Sequence, residues 1–460
     1  MTAHEYDPVD SFVGADGLDR AAMALGPPHA GIAGRQITGI ASAQVVVSNG
    51  RPTAILTSSI AVENPPKSEI KWLYDQHGFA VTKEGSHGKV LLTAPPDAAE
   101  PERQAARVAA EVFERGNVTA AQPNLIQLLE GPNIADDLMG IQWALDNPGT
   151  PGVVGADVAA NAAWTLTTGS PGIRVAILDD GVEVAHPAIH DAIVAEHNFV
   201  ETADGAPTTD STPPNHDDYH GTACAGIIAS RDPSVIGLAH GADLVACRIA
   251  TRKLGSWQLD WFAAADAIDW CWEQAQADVL SLSWQCGVND VVTNALGRAR
   301  TNGRDGKGSV VVASAGNNGG RLVYPASVEG VLAVGATNQW DQRKTYESSD
   351  GENNWASNFG TGLGLMAPGV KIKTLDLTGP AGLVGGGISG RFSGTSAAAP
   401  FASATAALVL SSREDLHEAD VRQILQNSTD GLGPRSWDAQ VGYGRLNAYA
   451  ALRAARRFAK

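Results

Sequence analysis

The sequence is short of cysteine, of uninterrupted apolar runs and of positive charge, and each shortage closes off a class of protein. Only four cysteines, Cys224, Cys247, Cys271 and Cys286, occur in 460 residues. They show no CxxC spacing, so neither a zinc site nor a disulfide framework is expected, and they read as mostly buried thiols. No apolar run reaches about 18 residues, the length needed to cross a bilayer, so no membrane partner is expected. Acidic residues outnumber basic ones 50 to 33, a formal net charge of −17, and nucleic-acid binding, which needs clustered Lys and Arg, is not expected either. The opening MTAHEYDPVDSFVGADGLDR has neither the basic start nor the apolar stretch of a secretory signal. Export by the usual route is therefore not expected, and the cytoplasm is favoured over secretion.

What is present is ample material for a core: 43% of the residues are hydrophobic and 18% charged, the balance of a folded domain. Residues 1–35 lack sustained periodicity and read as an N-terminal extension. Over 36–131, helix-like and strand-like stretches alternate. AQVVVSNGRPTAILTS is two apolar runs about Asn49-Gly50, a hairpin signal; KSEIKWLYDQHG and EPERQAARVAAEVFERG read as helices stopped by Gly78 and Gly116. This pattern predicts a small α+β domain whose boundary lies near residues 130–137. From 136 to 455, apolar runs such as RVAILDD, GADLVACRIA, DVLSLSW and GSVVVASAG alternate with helical ones. Buried strands separated by helices predict an α/β fold with a doubly wound, mostly parallel sheet.

In open α/β sheets reactive groups gather at the carboxyl ends of strands. Asp179 closes RVAILDDG; His220 stands in HDDYHGTACAG at a helix start; Ser396 lies in RFSGTSAAAPFAS, ahead of an alanine-rich helix. Ser or Thr before such a run is commonly a helix cap. Here the chain also supplies a carboxylate and an imidazole, the parts that turn a serine hydroxyl into a nucleophile. Asn317 ends SVVVASAGNN and offers an amide donor to a tetrahedral oxyanion, together with the Ser396 backbone N–H.

The motifs ILDDGV, HGTACAG, ASAGNNGG and GTSAAAP, in this order, resemble those of the subtilisin-like serine proteases. QWALDNPG and VGYGRLNAYAAL add to the resemblance, which extends from about Asp136 to Arg453. It implies a subtilisin-like fold and endopeptidase chemistry on peptide or protein substrates, with Asp179, His220, Ser396 and Asn317 as the catalytic residues. It also implies that substrate lies as a strand against Ser281, Leu282, Ser283 and Trp284 and against Gly255 and Ser256. Asp180 and Asp217 are similar to acids of the kexin branch that favour a basic substrate side chain; solvated loop acids are the other reading. The preceding domain resembles the family's inhibitory propeptide, an intramolecular inhibitor that assists folding, which implies self-cleavage between Gln127 and Asp137. A permanent N-terminal domain is the alternative.

The chain also departs from the family pattern. Where members carry a calcium-binding Asp, this sequence has Ala188, and ASRDPSVIG is short and lacks the usual Asn, so that calcium site is expected to be degraded; no cofactor or metal is required, and calcium elsewhere stays open. Kexin-type members carry acids just after the substrate strand, where this chain reads WQCGVND with only Asp290 nearby, which makes dibasic specificity doubtful. Gln285 stands where Gly is usual. Cys224, one helical turn after His220, reads as packing. Two other functions fit the same residues: a peptide ligase, whose acyl-enzyme is captured by an amine, and a peptide-binding pseudoprotease.

Overall fold

The long apolar runs become buried strands in the computed structural model, which describes residues 4–5, 31–34, 44–48, 51–95, 98, 100–129, 142–200, 208–253, 256–433 and 436–458. The chain forms two compact units, one of residues 1–130, 253–270 and 286–297, the other of residues 131–252, 271–285 and 298–460. Most of the expected extension over 1–35, the Asn49-Gly50 turn and residues 130–141 lie outside the described residues, as does Gly255.

In the first unit, strand Arg51–Glu63 pairs antiparallel with Gln44–Ser48, Lys89–Thr93 and Ala120–Leu129. Helices Lys67–His77 and Pro101–Glu114 contribute Leu73, Val108 and Val112 to a core shared with Ile60, Val62 and Leu92. The first helix stops at Gly78, whose φ of 73° is the left-handed conformation that the sequence signal requires. The last strand does not end the sheet. Strand Ser256–Asp260 pairs antiparallel with it, Trp257 opposite Leu129 and Asp260 opposite Ile126, which draws 253–270 into this unit rather than leaving the division contiguous in sequence.

Polar contacts reinforce that pairing. The Lys89 ammonium, fully buried, pairs with Asp269, also fully buried, and donates to the Ala265 carbonyl at 3.1 Å. The backbone N–H of Ser86 donates to Asp266 at 2.8 Å, and Asn294 donates to Glu63 at 2.6 Å. A charge removed from water needs such partners, because burying it alone costs several kcal/mol, on the order of the whole stability of a domain.

The second unit is built on a seven-stranded sheet ordered Leu363–Pro368, Leu332–Thr337, Val310–Ser314, Val279–Leu282, Arg174–Asp179, Asp243–Arg248 and Ile193–Asn198. Every neighbouring pair is parallel. Four of these strands are buried at every residue, which is why they read as continuous apolar runs rather than alternating ones. Helix Thr395–Ser412 packs on the sheet and against helix His220–Ala229. Its Ala-rich sequence lets helix and strands approach closely, and Ala398, Ala402 and Ala406 are fully buried. All four cysteines are buried.

Candidate active site

Asp179 is the last residue of its strand and His220 the first of its helix. The imidazole Nδ1 lies 2.8 Å from Asp179 Oδ1 and 3.0 Å from Oδ2, with both side chains almost wholly buried. Burial pulls the imidazole down, but the charge and hydrogen bond of Asp179 outweigh it and hold His220 above its ordinary value of 6.5. On its other side the ring meets Phe392 edge-on, 5.2 Å between centroids. The helix start fits tightly onto the strand end: a Cβ on Gly221 would fall 2.2 Å from the Gly181 carbonyl oxygen, so only glycine lets the two segments close.

The nucleophile candidate enters by a strained turn. Gly394, with φ 140°, precedes helix Thr395–Ser412, so Ser396 stands in the first helical turn rather than ahead of it. Its hydroxyl donates to the Ser283 carbonyl at 3.0 Å, and its own carbonyl accepts from Ser283 Oγ at 3.1 Å. Cys224 joins the two halves of the site, its Sγ 3.9 Å from His220 Nδ1 and 3.6 Å from the Ser396 carbonyl. Burial pushes that thiol well above its usual range, so it packs as a neutral group. Asp179, His220 and Cys224 present their donor atoms within 4.8 Å of one another.

Asn317 is exposed and its amide orientation is determined. Oδ1 accepts from the Thr395 backbone N–H and from Thr395 Oγ1, both at 2.8 Å. Since the oxygen faces Thr395, the NH₂ end is the one presented outward, as an oxyanion donor must be. Thr395 was overlooked in the sequence, although its place between Gly394 and Ser396 is the available signal.

The expected substrate-contacting residues divide. Ser281 and Leu282 are interior strand residues, and Ser281 Oγ is bonded to Ser403 Oγ at 2.9 Å; their side chains pack in the core. Ser283 and Trp284 follow the strand, and Ser283 flanks Ser396 through the bonds just described. Ser256 begins the strand of the first unit. Asp180 is wholly buried. Its two oxygens accept the N–H groups of His220 at 3.2 Å and Gly221 at 2.8 Å, so it serves the free N–H groups of the helix start, and burial beside Asp179 raises it well above the usual carboxylate range. Asp217 is exposed, whereas its neighbour Asp218, not singled out in the sequence, is buried and accepts from Asn215 at 2.7 Å and the Arg252 backbone at 2.9 Å.

Beside the site, a loop over residues 376–387 is wound about one carboxylate. Asp376 accepts the N–H groups of Leu377, Leu383, Val384 and Gly385 at 2.7–3.1 Å, and Gly382 donates to the His216 carbonyl at 2.9 Å.

Comparison with known proteins gives this geometry a context. The model of the subtilase family matches residues 170–444. The chain is 33% identical to a thermophilic serine proteinase of a Bacillus species over 63% of its own length and 64% of that protein's. It is 32% identical to a calcium-dependent protease of Trichormus variabilis, over 68% and 50%, and 32% identical to thermitase of Thermoactinomyces vulgaris, over 64% and 93%. It thus spans about half to two thirds of the first two relatives. In fold it is similar to the serine protease of Aeromonas sobria, solved in complex with a chaperone (TM-score 0.58, 20% identity, 69% of this chain and 66% of that one). A protease of Pseudoalteromonas arctica is similar as well (TM-score 0.56, 24% identity, 71% and 100%). The matched segment carries the strand bearing Asp179, the helix bearing His220 and the turn bearing Ser396, and the chain belongs to the subtilase family.

Proposed function

We propose that the protein is a serine endopeptidase in which Ser396 is the nucleophile, His220 the general base and acid, Asp179 its orienting carboxylate and Asn317 an oxyanion donor. The observation that carries this reading is the bond from His220 Nδ1 to Asp179. It commits the Nδ1 proton to the carboxylate and leaves Nε2 with its lone pair, the tautomer a base needs.

Ser396 Oγ attacks the peptide carbonyl carbon as its proton passes to His220 Nε2, and the carbonyl electron pair moves onto oxygen. That oxyanion is met by Asn317 Nδ2 and by backbone N–H groups at the helix start, where the dipole favours negative charge. Collapse breaks the C–N bond, the amine leaves with the proton from His220, and water repeats the sequence to release the acid and free Ser396.

The same reading makes 36–131 an inhibitory domain, processed between Gln127 and Asp137. Its support is the antiparallel pairing of Ala120–Leu129 with Ser256–Asp260, since strand addition to a sheet edge is how extended peptides are held. Substrate is read as lying extended against Ser283 and Trp284. No calcium is assigned at Ala188. Its methyl supplies no oxygen, its backbone N–H is bound by His186 Nδ1 at 3.1 Å, and calcium takes roughly six to eight oxygen ligands.

The test is fluorophosphonate labelling and N-terminal sequencing of the purified full chain beside Ser396→Ala. The expected result is labelling at Ser396 and a new N-terminus in the 127–137 window, both lost in the variant. Processed wild-type protein inert to the probe would overturn the reading, and products joined to an added amine rather than hydrolysed would make it a ligase.

A further inference from the structure

The segment KTYESSDGENNW, residues 344–355, carries no motif, yet it holds a buried cluster of charged residues. The Lys344 ammonium is wholly buried. It pairs with Asp350 Oδ1 at 3.3 Å and donates to the carbonyls of Thr345 and Glu352. Asp350 also accepts from Asn338 Nδ2 at 2.9 Å, its backbone carbonyl accepts from Lys371 Nζ at 2.9 Å, and its Oδ1 accepts the Glu352 N–H at 3.0 Å. The Lys344 ammonium is thus paired with the Asp350 carboxylate, and Lys371 holds the same residue by its backbone.

The cluster opens in one direction. Glu352 is 7% exposed; one of its carboxylate oxygens accepts from the Trp355 indole, and the other, Oε1, accepts from Ser393 Oγ at 2.7 Å. Ser393 Oγ in turn accepts the Lys371 backbone N–H at 2.8 Å. Ser393 is the residue before the Gly394 turn, and the Gly394 N–H donates to the Gly369 carbonyl at 2.8 Å. The far side of that turn is held by Thr395, whose N–H and hydroxyl bind Asn317 and whose Oγ1 accepts the Gly316 N–H at 3.0 Å. The turn that carries Ser396 is therefore clamped from two sides.

We propose that Glu352 is a positioning residue, acting through the Ser393 hydroxyl to hold the Gly394 turn so that Ser396 Oγ and the neighbouring backbone N–H groups stand where attack and oxyanion binding require. An ionised carboxylate accepts only, so it fixes the direction of both bonds it receives, and charge-assisted bonds of this kind are about twice as strong as neutral ones. A glutamine at this place keeps the size but must turn a donor toward either Ser393 or Trp355. A displacement of about 1 Å at a reacting atom costs on the order of a hundredfold in rate, so a partial relaxation of the turn is expected to cost about tenfold or more.

This inference rests on the serine-endopeptidase reading, and the experiment separates the two. Full-length wild type, Glu352→Gln, Ser393→Ala and the double variant are titrated with a fluorophosphonate, and kcat, KM and the acylation rate constant are expressed per titrated site. Loss of folded protein lowers the titre and leaves the per-site rates alone. Each single variant is expected to lose about tenfold or more in per-site acylation and kcat, with KM within about twofold, and the double variant to fall no further than the worse single one. Per-site rates within about twofold of wild type in either single variant, or losses that multiply in the double, would overturn the proposal; should one variant not fold, the other decides it on the per-site rate. A wild type inert to the probe would instead overturn the endopeptidase reading.

Discussion

Replacing Asp179 with Asn changes one oxygen to an NH₂ group and leaves no orientation that satisfies the site. Asp179 Oδ1 accepts both the Asp180 backbone N–H at 2.9 Å and His220 Nδ1 at 2.8 Å. An amide nitrogen in that place meets the Asp180 N–H, donor against donor. Turned the other way, it replaces Oδ2, 3.0 Å from His220 Nδ1, and drives the imidazole proton to Nε2, where the ring is no longer a base for Ser396. Either orientation sets a donor within 3.0 Å of His220 Nδ1 and so disfavours the active tautomer, and the loss in kcat is expected at about 10,000-fold, the size known for this change in another serine-protease triad and equal to about 5.5 kcal/mol.

The pH dependence supplies an independent sign. In the wild type Asp179 holds His220 above 6.5, and the base must be neutral, so kcat/KM rises with pH through a limb above that value. In Asp179→Asn the charge and hydrogen bond that raise it are gone while burial, which lowers it, remains, so the residual limb moves to lower pH. Hydrolysis of a chromogenic peptide, followed from about pH 5 to 10 across that limb, checks both. A loss below tenfold, or a limb that moves upward, would refute the argument.

Two further perturbations separate chemistry from stability. Asn317→Ala is expected to lower kcat by about 100 to 1,000-fold with little change in KM, a range carried over from subtilisin, a relative of this chain; steady-state kinetics check it, and a change confined to KM would count against an oxyanion role. Lys89→Met leaves Asp269 buried without its ammonium, and breaking such a pair costs about 3–5 kcal/mol. In a Ser396→Ala background, which excludes self-digestion, the first urea transition should move to lower denaturant, and an unchanged midpoint would show that other partners carry the charge.

The parallel sheet was legible because strands buried on both faces leave unbroken apolar runs, and Asp179 and Asn317 stood out as polar residues ending such runs. Ser396 was legible from its motif, although the helix begins at Thr395, two residues ahead of its alanine run. Asp180 was not. Adjacent acids leave a strand end in different directions, so one meets His220 while the other meets the helix N–H groups, and nothing local tells them apart. The same ambiguity explains Asp217 and Asp218, one exposed and one buried. The 344–355 loop was opaque for another reason: its Gly, Asn and acidic residues describe a solvated turn, and its burial depends on Lys344 folding back onto Asp350 and on Lys371, from elsewhere in the chain, binding the Asp350 carbonyl.

The loop wound around Asp376 is specified by main-chain amides rather than by its own side chains. Leu377 is buried in the core and Gly385 has a φ of 75°, but any residue other than proline at 384 brings the same N–H to the carboxylate, and the exposed Val384 is free to vary in character. Gly382 is not, for a Cβ there would meet Asp376 Oδ1 at 1.9 Å. One anion and one missing methyl group thus define the shape of this surface loop, leaving its outward-facing groups available to be rewritten.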